Sequence, residues 1–330
     1  VCYLVLLCCI NRGEVMEKVK IVFMGTPDFS VPILEGLIEN YQVIGVVTQP
    51  DRCVGRRQEV VFSPVKEVAL KYQIPVFQPE KIRNNYDDIL ALEPDIIITC
   101  AYGQIIPKAI LDFPKYGCIN VHASLLPKLR GGAPIHHAII DGYDKTGITI
   151  MYMDEAMDSG DIISQRETEI LDSDTVETLH DRLSSLGREL LLDTLPSILD
   201  GSAKRIKQDE SLVTYAYNIK REEEYLDFSK TSLELFNQIR GLSPFPGSSC
   251  IINDREFKVY FARISSVQSS LFQPGEILHI YKDGIGIATQ DYEIVLLDIK
   301  PFGKKRMLAS SFINGIKKEE YIGKVVYGRK

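Results

Sequence analysis

The stretch VKIVFMGTPDFSVPILEGLIE, residues 19–39, is an unbroken apolar run, a Gly-Thr-Pro break, and then apolar residues at helical spacing. Such a run, bounded by glycine, reads as a strand buried on both faces, followed by a helix laid against it. The spacing predicts a strand over 19–24 and a helix over 30–39, with Gly25 serving the tight turn and Asp28 or Ser30 capping the helix. GxGxxG and GxxxxGK[ST] are both absent, so neither the dinucleotide fingerprint nor the phosphate-cradling loop is met.

Outward from this unit the alternation continues. Strand-like runs at 43–47, 95–100, 118–122 and 148–153 are interleaved with helical patterns at 64–72 and 105–111, and an amphipathic stretch at 175–199 ends near Gly201. This is the pattern of a parallel sheet with crossover helices, so residues 16–204 are expected to form an α/β, Rossmann-like domain. Residues 205–222 are polar and read as a linker. From 223 to 330 the texture differs: one short helix is halted by Gly241 and two prolines, then strand-like runs stand at 250–253, 257–264, 275–281, 284–289 and 293–299. Asp283-Gly284 is a hairpin signal, and the whole suggests a smaller C-terminal antiparallel β-barrel of OB-like type.

Composition agrees with two folded domains: 330 residues, 45% hydrophobic and 25% charged, can bury a sizeable core and do not resemble a disordered chain. A net charge of −7 argues against a general nucleic-acid binder. Yet residues 223–330 hold 15 Lys and Arg against 13 Asp and Glu, while the remainder holds 23 against 32. The second domain can therefore accept an anionic partner. Seven cysteines form no CxxC pair and no zinc-like spacing, which fits a reducing, cytoplasmic setting. The opening VCYLVLLCCINRGEV has an apolar run of about ten residues, too short to span a bilayer, and lacks a positive leader. Met16 reads as the functional start, with residues 1–15 an upstream extension.

The candidate chemistry lies in INVHASLLPKLRGGAP, residues 119–134. Residues two apart in a strand share a face, so Asn120 and His122 project side by side near the strand's end. Asp158 follows in MDSGDII, residues 157–163, just beyond the next strand. In a parallel sheet, carboxyl-end residues of neighbouring strands converge on one crevice, where Asn120, His122 and Asp158 can meet. There an Asn amide can donate to a developing oxyanion, a His can add charge or shuttle a proton, and an Asp can hold that His charged. Read singly, the same residues are a capping Asn, a satisfied core His and a turn Asp. His136, His137, His180 and His279 read as structural, and no histidine falls in a metal-ligand pattern, so no metal is expected.

Together, NVHASLLPKLRGGAP and MDSGDII resemble the folate-dependent formyltransferase family. IVFMGTPDFSVPIL, VVTQPDRCVGR, AYGQIIP and NQIRGLSPFPG are similar to the branch whose acceptor is a charged tRNA. The resemblance spans nearly the whole chain after Met16. It implies that Asn120, His122 and Asp158 are catalytic and that Ser124, Leu125, Leu126 and Pro127 line the folate site. It implies transfer of the formyl group of 10-formyltetrahydrofolate to the α-amine of methionyl initiator tRNA, by a cytoplasmic monomer. Arg56 matches a basic loop that approaches the tRNA acceptor end, with Arg52 and Arg57 as phosphate contacts, and the second domain holds the tRNA. The chain departs from the pattern at Cys53-Val54, Arg57-Gln58, His136-His137 and Phe245, which touches the tRNA contacts and not the trio. Glycinamide ribonucleotide formyltransferase shares the trio and the SLLP loop but ends without a barrel. The alternatives left open are a formyltransferase acting on an amino-sugar nucleotide and a noncatalytic RNA-binding protein. A nicotinamide oxidoreductase is disfavoured by the missing GxGxxG.

Overall fold

The computed structural model describes residues 19–54 and 59–328. Met16 and the extension before it, and the loop residues Arg56 and Arg57, lie outside the described residues.

Nine strands serve the first half: β1 Lys20–Gly25, β2 Gln42–Val47, β3 Arg52–Val54, β4 Glu59–Val61, β5 Val76–Phe77, β6 Ile96–Cys100, β7 Cys118–His122, β8 Lys145–Tyr152 and β9 Ile162–Glu169. Seven of them form one sheet in the order β5-β2-β1-β6-β7-β8-β9, and β3 and β4 pair as a separate hairpin. β1 pairs with β2 and β6 in parallel, as do β2 with β5 and β6 with β7. Ile21, Val22, Phe23, Met24 and Ile96–Ile98 are fully buried, as continuous apolar runs covered on both faces require. Each such side chain contributes about 1.5–3 kcal/mol by leaving water.

The sheet is mixed, not parallel throughout. β8 runs antiparallel to β7, with Thr149 opposite His122 and Met151 opposite Asn120. A strand buried on both faces has the same apolar pattern in either direction, so periodicity alone cannot orient it.

The first turn differs in detail from expectation. Ser30 stands at the N-cap position of the helix Val31–Asn40, but its side chain makes no cap hydrogen bond. The Ser30 hydroxyl donates instead to the Cys100 carbonyl at 2.7 Å, tying the turn to β6. Gly25 is needed for close approach, because a Cβ there would stand 2.9 Å from the Cys100 carbonyl oxygen. The helix presents Ile33, Leu34 and Leu37 inward, one apolar stripe at helical spacing.

By its contacts the chain divides into two compact units. One takes the chain up to Gly132, with Gly147–Thr168 and His180–Tyr215; the other takes Ala133–Thr146, Glu169–Leu179 and everything from Ala216 onward. In the second, the strands are β10 Ser248–Ile252, β11 Arg255–Gln268, β12 Ile277–Ile280, β13 Ile285–Ile287, β14 Tyr292–Pro301 and β15 Met307–Leu308. They pair antiparallel in the order β10-β11-β14-β13-β12, with β15 on β14. The expected hairpin at Asp283-Gly284 is present, with Tyr281 N–H donating to the Gly284 carbonyl at 2.9 Å.

Closure comes from a segment that periodicity does not mark. Ile251 on β10 exchanges backbone hydrogen bonds with Tyr327, and Val326 N–H and Lys324 carbonyl bond to Gly275 and Ile277. Residues 324–327 thus bond to both β10 and the start of β12, the two ends of the strand order, and draw the sheet into a barrel. Inside lie Phe257, Val259, Ile285, Ile294, Leu296 and Ile299, with Leu235 and Ile239 of the helix Ser232–Gly241 packed into the same core.

Candidate active site

β7 carries Asn120 and His122 on one face, and the two side chains are held in different ways. The hydroxyl of Thr99, opposite Asn120 on β6, has three acceptors in reach, of which Asn120 Oδ1 at 2.9 Å is nearer than the Ile119 carbonyl and Met153 Sδ, both at 3.2 Å. With Oδ1 engaged as the acceptor, the Nδ2 of that amide is left as the donor on its other side. His122 is buried, at 6% exposure, and its Nε2 lies 3.0 Å from the Leu129 carbonyl. A carbonyl only accepts, so Nε2 carries the proton and donates. Nδ1 stands 3.7 Å from Oδ1 of Asp158, an ion-pair separation beyond hydrogen-bond length.

Asp158 lies in the turn between β8 and β9. Because β8 is antiparallel, that turn starts beside Cys118, at the other end of β7 from His122: Met153 N–H donates to the Cys118 carbonyl at 2.8 Å. The turn must therefore run back along the strand to bring Asp158 to His122. Convergence of parallel strand ends does not bring these residues together. Asp158 has a left-handed backbone, φ 50°, and its Oδ2 accepts the Gly131 N–H at 2.8 Å.

The SLLP loop is pinned from β8 and β9. Thr149 donates its hydroxyl to the Ser124 carbonyl at 2.6 Å and accepts the Leu126 N–H at 3.1 Å. Gln165 donates to the Leu126 carbonyl at 2.9 Å and to the Thr149 hydroxyl at 2.8 Å. Ser124 is buried and its hydroxyl donates to the Lys128 carbonyl, while Leu126 packs with Met151 and Ile162. Leu125 and Pro127 are half-buried and form the open apolar edge of the loop. Thr149 and Gln165 were not marked by the sequence: Thr149 is a polar residue within a strand that otherwise reads as buried, and Gln165 stands among the polar residues of β9 with nothing to set it apart.

The basic hairpin is anchored at its base. Lys66 Nζ donates to Asp51 Oδ2 at 2.5 Å and Gln78 Nε2 donates to Asp51 Oδ1 at 2.8 Å, and these two bonds hold the Asp51 carboxyl below its ordinary range. Arg52 stands exposed on β3. The remaining histidines are engaged elsewhere: His136 and His137 with the Gly241 and Tyr217 carbonyls, His180 edge-on to Phe29, and His279 with the buried Glu293. Among the described residues no cluster of three or more His, Cys, Asp or Glu is placed to hold a metal ion, and no helix is long and apolar enough to cross a membrane.

Residues 18–195 match the family profile described as Formyl transferase, and residues 218–317 match Formyl transferase, C-terminal domain. Over 300 residues the chain is 55% identical to a methionyl-tRNA formyltransferase of Bacillus licheniformis, covering 90% of this chain and 95% of that one. It is 53% identical to the methionyl-tRNA formyltransferase of Bacillus subtilis, over 90% and 94% of the two chains. Among solved structures, the sugar 3N-formyl transferase WlaRD, determined in the presence of dTDP and 5-N-formyl-THF, matches with TM-score 0.64 at 21% identity, covering 87% of this chain and 99% of that one. HypX from Aquifex aeolicus in complex with tetrahydrofolic acid matches with TM-score 0.60 at 16% identity, covering 89% of this chain and 46% of that one. At these identities the solved structures establish the fold.

Proposed function

The chain belongs to the formyl transferase family and, within it, to the methionyl-tRNA formyltransferases; on that premise we propose that it moves the formyl group of 10-formyltetrahydrofolate to the α-amine of methionyl initiator tRNA. The observation that carries the reading is the pairing of His122 with Asp158 beside an Asn120 amide whose donor end is turned free. Two relatives that it matches over nine-tenths of its length carry that activity in their names.

The residues present fit a formyl donor of this kind. Leu125 and Pro127 offer an apolar edge, and the backbone of the loop behind them is already satisfied by Thr149 and Gln165, so the edge is rigid before anything binds. 10-Formyltetrahydrofolate supplies the carbon that is transferred. The amine forms the new C–N bond, the bond to the folate N10 breaks, and the amine's proton leaves with N10. Asn120 Nδ2 donates to the formyl oxygen as negative charge grows there, an interaction worth about 2.7–4 kcal/mol per donor. His122 adds positive charge beside it. Since Nε2 is committed to Leu129, Nδ1 is the position at which a proton arrives and leaves, and Asp158 holds the charged ring in place.

The acceptor reading draws on the second unit and the hairpin. Lys304 and Lys305 are exposed on the turn between β14 and β15, where they can meet phosphates. Arg52, with Arg56 and Arg57, is proposed to serve the acceptor end, in a cytoplasmic, monomeric enzyme. The test is labelled formyl transfer from 10-formyltetrahydrofolate to methionyl initiator tRNA, beside free methionine, deacylated tRNA and an amino-sugar nucleotide. Transfer only to the charged tRNA supports the reading. Transfer to the sugar nucleotide replaces the acceptor, and transfer to none of them rejects the activity.

A further inference from the structure

The backbone that positions His122 and Asp158 is one short segment, Leu129-Arg130-Gly131. Leu129 offers its carbonyl to His122 Nε2, and Gly131 offers its N–H to Asp158 Oδ2. Both residues have positive φ, 60° and 122°; for Gly131 this costs nothing, but for Leu129 it is a conformation that persists only where surrounding bonds enforce it. Between them Arg130 turns its guanidinium inward, at 3% exposure.

That guanidinium meets Gln208. Arg130 Nε and Nη2 donate to Gln208 Oε1 at 3.1 and 2.8 Å. On its other side, Gln208 Nε2 donates to the Asp158 carbonyl and the Gly160 carbonyl, both at 2.8 Å. The amide has only one workable orientation. A flipped amide would set its NH2 against guanidinium donors and its oxygen against two carbonyls, so every contact would turn repulsive. Arg130 is anchored in turn by Glu210, whose Oε1 it reaches at 2.8 Å. Its own N–H donates to the Thr214 carbonyl, and the Leu129 N–H to the Thr214 hydroxyl.

We infer that Gln208 is a positioning residue for formyl transfer, a single amide that locks the turn carrying Asp158 to the segment that holds both Asp158 and His122. This rests on the reading of Asn120, His122 and Asp158 as the catalytic trio. Gln208 does not touch that trio's reacting atoms; it acts through the carbonyl of Asp158. A buried guanidinium paired with a carboxylate that is 71% exposed is weak support for stability, which leaves geometry as what the arrangement supplies. Displacing a catalytic group by about 1 Å can cost on the order of a hundredfold in rate.

Gln208→Glu separates the roles. The variant keeps length, shape and an acceptor for Arg130, and replaces the donor by an acceptor facing two carbonyls. A residue that merely anchors Arg130 would tolerate it. The expected result, with full-length protein and methionyl initiator tRNA, is kcat reduced roughly tenfold to a hundredfold, with KM for folate and tRNA within about twofold. Adding Gln208→Glu to Asp158→Asn should cost nothing further, because both act through Asp158. If Gln208→Glu does not fold, Gln208→Met, which removes the contacts to Arg130 and to both carbonyls, is set beside Glu210→Ala, which removes only another partner of Arg130: a fall in kcat in the first and not in the second is expected, and equal losses overturn the inference. Turnover within twofold of the parent in Gln208→Glu, or a loss confined to KM, overturns the inference, provided His122→Ala in the same assay is inactive. If His122→Ala turns over normally, the trio reading itself fails, and the two failures are thereby told apart.

Discussion

Nε2 of His122 donates to the carbonyl of Leu129 at 3.0 Å, which leaves Nδ1 as the nitrogen facing Asp158. The tautomer is set by a backbone group seven residues away and not by the carboxylate. His122→Gln places an amide donor near the former Nε2 and supplies nothing at Nδ1. It should therefore be as inactive as His122→Ala, with kcat lower by about 10²–10⁴, the range for a lost general acid or base. Steady-state formylation by both variants, with circular dichroism to show that the fold is intact, checks this. Substantial turnover by His122→Gln alone would move the chemistry to Nε2.

The Asn120 amide owes its orientation to Thr99, which donates to Oδ1. Thr99→Val keeps the shape of the strand and removes that donor, so the amide can flip and present oxygen where a donor is required. We expect kcat to fall about tenfold while KM for folate holds, since a donor that works only as charge develops affects turnover and not ground-state binding. A rise in KM at constant kcat would show instead that Asn120 binds the ground state.

The longer apolar strands of both units were legible because their side chains alternate or run unbroken with the right period, and the run at 118–122 coincides with β7; the mostly polar β9 and the two- and three-residue β3, β4, β5 and β15 were not. Strand direction was not. The apolar pattern of β8 is the same read either way, and its direction shows only in the pairing, which runs from Ile119 opposite Tyr152 to His122 opposite Thr149. Closure of the barrel by residues 324–327 escaped because lysine, two valines and a tyrosine near a chain end carry no period. The trio was visible as residue types in a strand and a loop. The parts that aim it were not, because they act through backbone groups: the Leu129 carbonyl, the Gly131 N–H and the carbonyl of Asp158 itself. Gln208 sits in a stretch that reads as a polar linker, where one glutamine looks like its neighbours.

Gly147 on β8 shows how tightly the SLLP loop is seated. A Cβ added there would lie 2.2 Å from the Arg166 carbonyl oxygen and 2.7 Å from Leu125 Cδ2. The first is backbone of β9, so β8 and β9 must part there, and Leu125 must give way as well. Gly147→Ala should lower stability by about 1–3 kcal/mol, the usual cost of overpacking. It should also raise KM for folate several-fold, because Leu125 forms part of the proposed folate edge. Thermal melting and folate titration of the full chain check both, and a variant that melts as the parent does would show that the strands yield easily.

In the second unit, Thr231 and Glu234 close a reciprocal cap on the helix Ser232–Gly241. The Thr231 hydroxyl accepts the Glu234 N–H at 3.2 Å and donates to Glu234 Oε2 at 2.6 Å, while that carboxylate also accepts the Thr231 N–H at 2.9 Å. The Thr231 hydroxyl is the main reason that the Glu234 carboxyl is held below its ordinary range. A carboxyl lowered in the folded state adds stability that is present above the ordinary value, about 4.3, and is lost as pH falls through the folded one. Thr231→Ala should cost about 1 kcal/mol at pH 7, as lost helix caps do. The difference from the parent should narrow as pH falls below the ordinary carboxylate value and through the lowered one, beyond which Glu234 is protonated in both proteins. It should not vanish, because the hydroxyl's acceptance of the Glu234 N–H does not titrate. Calorimetric unfolding of the full chain at pH 7 and at pH 3.5 measures both terms. A deficit equal at the two pH values would mean that the carboxylate contributes nothing, and that the hydroxyl alone caps the helix whose Leu235 and Ile239 pack into the barrel core.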